Sequence, residues 1–200
     1  MLFDKKLLIG SAILLFGLGR LVRVNCWEFI SIKPVLAQTE NTGLESSAKY
    51  FLNRGVNQAK KGDYGGAIED FNQAIKLNPN FATYYNRGLV RHYSGDEIGA
   101  IEDFNQSIKL NPSFFSAYDN RGIIRYYLGD ATAAIKDFSQ AIKFNLNDAD
   151  AYYNRGIVRD NLGDKSAALE DYRQAANLYK NQGKTDKYKE ALNKLEKLRQ

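Results

Sequence analysis

The sequence predicts an all-α protein, a right-handed α-solenoid of stacked helix-turn-helix repeats with a C-terminal capping helix. Three observations indicate this fold class. An Asn-Arg-Gly triplet occurs four times at spacings of 33, 34 and 34 residues, a Gly-Asp pair follows seven residues after each triplet glycine, and an alanine and an aromatic residue follow at constant distances. A helical hairpin of this length cannot bury its own apolar face, so it gains stability by stacking on neighbours. The triplets are Asn53-Arg54-Gly55, Asn86-Arg87-Gly88, Asn120-Arg121-Gly122 and Asn154-Arg155-Gly156.

Residues 1–37 are predicted to be a signal peptide or an N-terminal membrane anchor. Two lysines precede an apolar run at residues 7–19, whose length suits a secretory signal and is short for a membrane span. The small residues before Gln38 suit signal peptidase, and a polar linker, residues 38–47, follows.

The stretch between the apolar run and Ala37 is unusually long and charged for a signal peptide, so three versions stay open. The segment is cleaved at Ala37, is retained as an anchor with Arg20 and Arg23 at the interface, or is a shorter signal in which these arginines form the basic region. Each version places the repeats outside the cytosol (periplasm, lumen or extracellular space) or at a membrane.

The repeats divide the following chain into residues 48–80, 81–114, 115–148 and 149–182, each a pair of helices. Pro79 and Pro112 separate units because proline cannot continue a helix. At the third boundary Leu146 replaces proline, and we expect Asp148 to cap the next helix. Residues 183–200 carry apolar residues at helical spacing and are predicted to cap the array.

The glycines of the repeat have two predicted roles. In each Gly-Asp pair the glycine ends the first helix and the aspartate caps the second. The triplet glycines lie within a helix, where glycine costs about 1 kcal/mol relative to alanine. Their recurrence predicts close helix packing, with Ala67 facing Gly55 in the first unit and Phe71 filling the space between repeats.

These small-residue, Gly, Gly-Asp, Ala, aromatic and Pro positions resemble the tetratricopeptide repeat (TPR) family over residues 48 to about 180. The resemblance implies a solenoid whose first helices line a concave groove that binds protein segments. The chain departs from the family pattern at Leu146 and at the triplet arginines, where leucine is more common.

An aspartate lies sixteen residues after each triplet arginine, whereas the residue before that aspartate varies. We therefore predict an ion pair across each helix pair; the alternative is a solvated polar face. The predicted pairs are Arg54–Asp70, Arg87–Asp103, Arg121–Asp137 and Arg155–Asp171.

The predicted groove carries asparagines and tyrosines. The triplet asparagines form a ladder, similar to one in the repeat domain of a sugar transferase, whose amides can hold a peptide backbone. Tyrosines add contact area of the kind found at interfaces. The alternatives are local hydrogen bonding for the asparagines and packing between helices for some tyrosines. The predicted peptide-binding residues are Asn53, Tyr85, Asn86, Tyr93, Asn120, Tyr126, Tyr127, Tyr153 and Asn154.

Other classes of function lack support. The first 37 residues account for +3 of the formal charge of +5, so the repeats lack the basic stripe that nucleic-acid binding needs. With one histidine, His92, and one cysteine, Cys26, we find no catalytic, metal or phosphate-binding motif and expect no enzyme activity, cofactor or metal.

The sequence thus predicts a non-catalytic interaction scaffold that binds a protein or peptide in its groove. The basic clamp with which some family members hold the carboxylate of a chaperone tail is absent. Its positions are held by Leu52, Val56 and Ser116, or in the next frame by Tyr85, Leu89 and Asp150. The alternative is a structural module that self-assembles through its convex face or end cap.

Overall fold

A computed structural model describes residues 12–14, 22–24 and 43–199. The chain divides into two units, residues 1–33 and 34–200. In the first, strands β1 (Ala12–Leu14) and β2 (Val22–Val24) pair antiparallel, with Ile13 opposite Arg23. The rest of the predicted signal or anchor, including its Ala37 cleavage site, lies outside the described residues. Among the residues described, no helix has the length and hydrophobicity to cross a membrane.

Residues 43–199 are all-α, which confirms the predicted fold class for this part of the chain. Each helix contacts the next one along the chain, and α1 also contacts α3, as α5 contacts α7. The first helix is longer than predicted, since it begins within the expected linker. The helices are α1 (Gly43–Lys60), α2 (Tyr64–Leu77), α3 (Phe81–Ser94), α4 (Glu97–Leu110), α5 (Phe115–Tyr127), α6 (Ala131–Phe144), α7 (Ala149–Asn161), α8 (Lys165–Asn181) and α9 (Thr185–Arg199).

The Gly-Asp pairs form the turns inside the hairpins, as predicted. Gly95 has a φ of +90°, a left-handed conformation that favours glycine, and ends α3. The side chain of Asp96 then accepts a hydrogen bond from the Gly99 amide at 2.9 Å and so caps α4. The other three hairpins repeat this arrangement.

The triplet glycines allow the two helices of a hairpin to approach closely. A Cβ atom added at Gly88 would lie 2.9 Å from Cε1 of Phe104, and one at Gly55 would lie 2.8 Å from the Phe71 ring. Each ring therefore occupies the space beside the glycine of its own hairpin. Phe71 also belongs to a buried cluster that includes Val90 of the next repeat, so the ring packs within and between repeats.

The two ends of the array differ from its interior. The position of Thr83, Ala117 and Ala151, each fully buried, is held in the first repeat by Tyr50, which is 57% exposed. At the other end α9 packs on α8 through Ala191 and Leu195, although Leu192 of the predicted apolar face is 41% exposed.

Glu190 stands in α9 at the place of the triplet glycine. A second helix therefore cannot approach α9 as it approaches the first helices of the four repeats. The third repeat boundary behaves as predicted, with Asp148 accepting a hydrogen bond from the Ala151 amide.

Candidate functional site

Each triplet arginine forms a bidentate ion pair with the aspartate of its own repeat. In the second repeat, Nε and Nη2 of Arg87 donate to the two carboxylate oxygens of Asp103 at 2.9 and 2.6 Å. All four predicted pairs are present, and their aspartates are at most 3% exposed. These residues join the two helices of a hairpin, and apart from the half-exposed Arg54 their side chains are mostly buried.

The same arginines also connect successive repeats, which the sequence reasoning missed. Nη1 of Arg87 donates to Asn72 Oδ1 at 2.5 Å, across the boundary to the preceding repeat. Arg121 and Arg155 make the corresponding bonds to Asn105 and Ser139. The signal was present in the sequence, because a small polar residue recurs two positions after the paired aspartate.

A second arginine reaches the same carboxylate in three repeats. Nη1 of Arg125 lies 2.8 Å from Asp137, and Arg159 lies 2.8 Å from Asp171. Arg91 holds the equivalent position in the second repeat, 3.1 Å from its aspartate. These arginines follow the triplet arginine by four residues, one helical turn, and that spacing could have revealed them.

The asparagine ladder lies in the seam between neighbouring first helices instead of lining an open groove. Asn86, Asn120 and Asn154 are 2%, 6% and 7% exposed, so in this structure they cannot hold a peptide as predicted. Of the four, only Asn53 is exposed, because α1 is the first helix that the structure describes and no helix packs on this side of it there. The physical reason is that side-by-side packing of first helices buries this position in every repeat after the first.

The asparagines of the seam differ in how many hydrogen bonds they form. The Asn120 amide donates to Tyr85 Oη at 3.1 Å and to the Ser116 carbonyl at 2.9 Å. Neither amide atom of Asn86 has a partner among the described residues. Tyr85 directly precedes the triplet asparagine of the second repeat. The corresponding residue in the first repeat is the apolar Leu52. Leu52 offers no hydrogen bond.

The predicted groove tyrosines divide into core and surface residues. Tyr85 is 4% exposed and packs edge-on against Phe114, and Tyr153 is 7% exposed beside Tyr172. Both are therefore core residues, contrary to the prediction. Burial raises the pKa of Tyr85 above its ordinary range and that of Tyr153 to about 12.

The remaining predicted tyrosines are partly exposed near the C-terminal ends of the first helices. The rings of Tyr126 and Tyr127 lie 6.0 Å apart, and Tyr126 Oη accepts a hydrogen bond from the Asn161 amide of the next repeat. Tyr93 stacks on Tyr64, with ring centroids 6.1 Å apart. The structure thus leaves Tyr93, Tyr126, Tyr127 and Asn53 as the accessible part of the predicted site.

Acidic side chains gather where α7 meets the capping helix. Asp150 accepts hydrogen bonds from Lys187 Nζ at 2.8 Å and Tyr179 Oη at 2.7 Å, and its second oxygen lies 3.5 Å from Lys184 Nζ. Burial alone would raise the pKa of Asp150, but the hydrogen bond and charge of Lys187, with help from the other two groups, lower it.

Asp119 lies near this cluster and is 8% exposed, with one carboxylate oxygen unpartnered among the described residues. Burial, followed by the charges of Asp148 and Asp150, raises its pKa well above the usual range, although the Asn154 amide favours the charged form. The cluster ties α9 to α7 and leaves one carboxyl group poorly solvated.

His92, the one histidine of the sequence, is held by Glu97, whose carboxylate lies 2.6 Å from Nδ1. The part of the chain that the structure describes contains no group of three or more possible metal ligands. The contact between His92 and Glu97 joins the end of α3 to the start of α4 within one hairpin.

A solenoid of helical hairpins with partly exposed aromatic side chains along one edge defines the class of the protein, a repeat protein built for contact with other molecules. Tetratricopeptide repeat family models match residues 48–81, 82–114 and 149–178, and a TPR repeat model matches residues 122–163. The chain belongs to the tetratricopeptide repeat family. A comparison with curated protein sequences gave no significant match.

Solved structures of TPR proteins resemble this fold. The crystal structure of MamA is 29% identical, with a TM-score of 0.58 over 72% of this chain and 95% of that chain. The second TPR domain of human RPAP3, in complex with the HSP70 peptide SGPTIEEVD, is 25% identical, with a TM-score of 0.56 over 58% of this chain and 98% of that one. YrrB, a TPR protein with an unusual peptide-binding site, is 22% identical, covers 66% of this chain and 69% of its own, and with a TM-score of 0.59 shows the fold alone.

Proposed function

We propose that this chain is a non-catalytic protein–protein interaction scaffold that binds an extended partner segment in its concave groove. The observation that carries the proposal is the set of partly exposed tyrosines, Tyr93, Tyr126 and Tyr127, at the ends of neighbouring first helices. Tyrosine is enriched at interface hot spots because it combines apolar area with a polar end. The human RPAP3 domain that resembles this fold is in complex with a peptide.

The proposed site differs from the one that the sequence predicts. The accessible contacts are the three tyrosines and Asn53, whereas the seam asparagines hold the repeats together. A chaperone-tail carboxylate is not the proposed ligand, since Leu52 and Val56 stand at the clamp positions and are buried.

The alternative function is a structural module that self-assembles through its convex face or its end cap, and the ends of the array disfavour the end-to-end form of it. Tyr50 fills the position at which a preceding repeat would pack, where the inner repeats have a small buried residue. Glu190 occupies the place of the glycine that a following helix would need. Both ends thus lack the shape of an internal boundary.

The test combines peptide selection with position-dependent crosslinking on the full chain. A photoreactive benzoyl-phenylalanine is placed at Tyr93 or Tyr127 in the groove, or at exposed Gln73 or Gln140 on the second helices as matched controls. Peptides selected from a random library on the unmodified protein should crosslink from the groove positions alone. Crosslinking from the control positions alone would reject the groove, and crosslinks between two copies of the chain would favour self-assembly.

We also propose export or membrane anchoring through residues 1–37, on the basis of the basic and apolar pattern of this segment. A fusion of residues 1–47 to a phosphatase that is active only outside the cytosol should be active. N-terminal sequencing of the mature protein would then separate cleavage before Gln38 from a retained anchor, and an inactive, intact fusion would contradict the proposal.

A further inference from the structure

Three aromatic rings lie along the edge of the proposed groove, one in each of the first three repeats. Tyr93 and Tyr127 hold the same position in the second and third repeats, and Tyr64 of the first repeat stacks on Tyr93 with an interplanar angle of 16°. All three are partly exposed. The ring centroids of Tyr64 and Tyr93 lie 6.1 Å apart, so these two rings form one stacked contact. We call Tyr93 and Tyr127, which hold equivalent positions one repeat apart, the tyrosine row.

An acidic residue follows the tyrosine row in the fourth repeat. Asp160 precedes Asn161, which holds the position of Tyr93 and Tyr127, and Asp160 is partly exposed. It forms no ion pair with any residue that the structure describes. The carboxylate of Glu97, by contrast, lies 2.6 Å from His92 Nδ1. The row therefore offers aromatic faces that end in an uncompensated negative charge, whose complement is a basic side chain.

The repeat spacing sets the distance between these groups. The first helices lie side by side, because Asn120 donates to Tyr85 and Asn161 donates to Tyr126 across successive repeats. Packed helices lie about 8–10 Å apart. A polyproline II helix rises about 3.1 Å per residue with three residues per turn, so that one turn spans about 9 Å. One turn of such a segment thus matches one repeat.

We propose that the tyrosine row binds a proline-rich segment in the polyproline II conformation, with prolines at three-residue spacing on the rings and a lysine or arginine at Asp160. Proline-rich segments dock on aromatic grooves in this way, and their fixed backbone lowers the entropy cost of binding. This inference rests on the proposed groove function and names its ligand class.

The test measures fluorescence anisotropy of labelled peptides titrated with the full chain. One peptide of thirteen residues carries two prolines at three-residue spacing, with an arginine three residues beyond the second, and it is made in both chain directions. A control peptide has the same composition with four-residue spacing. In one chain direction, the peptide with three-residue spacing should bind at least about tenfold more tightly than the control peptide, because only three-residue spacing places a proline on every ring of the row. Equal affinity for the two spacings would overturn the proposal.

Substitutions test where the peptide binds and separate the contribution of the tyrosine rings from that of Asp160. Tyr93→Ala combined with Tyr127→Ala should weaken binding at least about tenfold, whereas Tyr84→Ala, which removes a ring packed over Arg87 outside the row, should leave it unchanged. Asp160→Asn should weaken binding of the arginine peptide about threefold or more, but not that of its glutamine version. Circular dichroism confirms that each variant is folded.

A folded double-tyrosine variant with unchanged affinity would refute the proposal. If no proline peptide binds while library peptides still crosslink at Tyr93, the ligand class is wrong and the groove function stands. If neither proline peptides nor library peptides bind, both the ligand class and the groove function are wrong.

Discussion

Asn86 gives the sharpest test of the seam between repeats, because its side chain is 2% exposed and neither amide atom has a partner among the described residues. A buried donor or acceptor without a partner costs about 1–3 kcal/mol. Leucine has nearly the same shape and needs no hydrogen bond. We therefore expect Asn86→Leu to raise the free energy of unfolding by about 1–3 kcal/mol, or roughly 2–4 °C in Tm per kcal/mol for a chain of this size.

The matched control is the same substitution one repeat further on. Asn120→Leu removes hydrogen bonds to Tyr85 and to the Ser116 carbonyl, each worth about 1 kcal/mol, although it also removes one unpartnered oxygen. Its free energy of unfolding should lie about 1–3 kcal/mol below that of Asn86→Leu. Urea unfolding followed by circular dichroism at 222 nm measures both. Equal destabilisation by the two substitutions would show that Asn86 is not an unsatisfied group and would refute the reasoning.

Three further predictions concern packing and charge. Gly122→Ala should destabilise the protein by about 1–2 kcal/mol in urea unfolding, because the new Cβ would lie 2.9 Å from the buried Phe138 ring and the strain exceeds the gain in helix propensity. Arg155→Met should lower stability by about 2–3 kcal/mol, because it leaves the buried Asp171 with one arginine. Asp119→Asn should raise stability at pH 7. Because the folded-state pKa of this carboxyl is raised, its neutral form contributes to the stability of the fold below pH about 4, and this contribution is lost as the pH rises through the folded-state pKa. Asparagine stays neutral over this range.

Each of these predictions has its own control. Gly65→Ala, where nothing lies within 4 Å of the added Cβ, should not destabilise; a loss equal to that of Gly122→Ala would refute the contact argument. Arg54→Met should cost less than Arg155→Met, since the Arg54 side chain is 47% exposed and the Arg155 side chain 15%. For Asp119, parallel stability–pH curves of the wild type and Asp119→Asn between pH 4.5 and 8 would contradict the assignment.

The local pattern was enough to predict the helices and the ion pairs. Three features depend on one hairpin alone. They are the glycine that lies against an aromatic ring, the Gly-Asp turn, and the arginine sixteen residues before an aspartate. Arg87 and Asp103 meet because the turn between α3 and α4 brings the two helices antiparallel at a fixed distance. Both residues and the turn lie in one repeat, so the sequence of that repeat is enough to predict the pair.

The accessible part of the site could not be predicted in the same way. Tyr85 and Tyr93 lie on one helix eight residues apart, and both were predicted to line the groove. One is in the core against Phe114, and the other is partly exposed. Which of them is accessible depends on how closely the neighbouring first helix packs.

By itself, the sequence determined the repeat period, the hairpin and its internal ion pairs, because these follow from residues close together in one unit. Only the tertiary structure decided that Asn86 and Asn120 lie in the seam while Tyr93 and Tyr127 remain partly exposed. The physical reason is that burial at a repeat boundary depends on two units at once. The distance between them is set by all the side chains that pack in the seam.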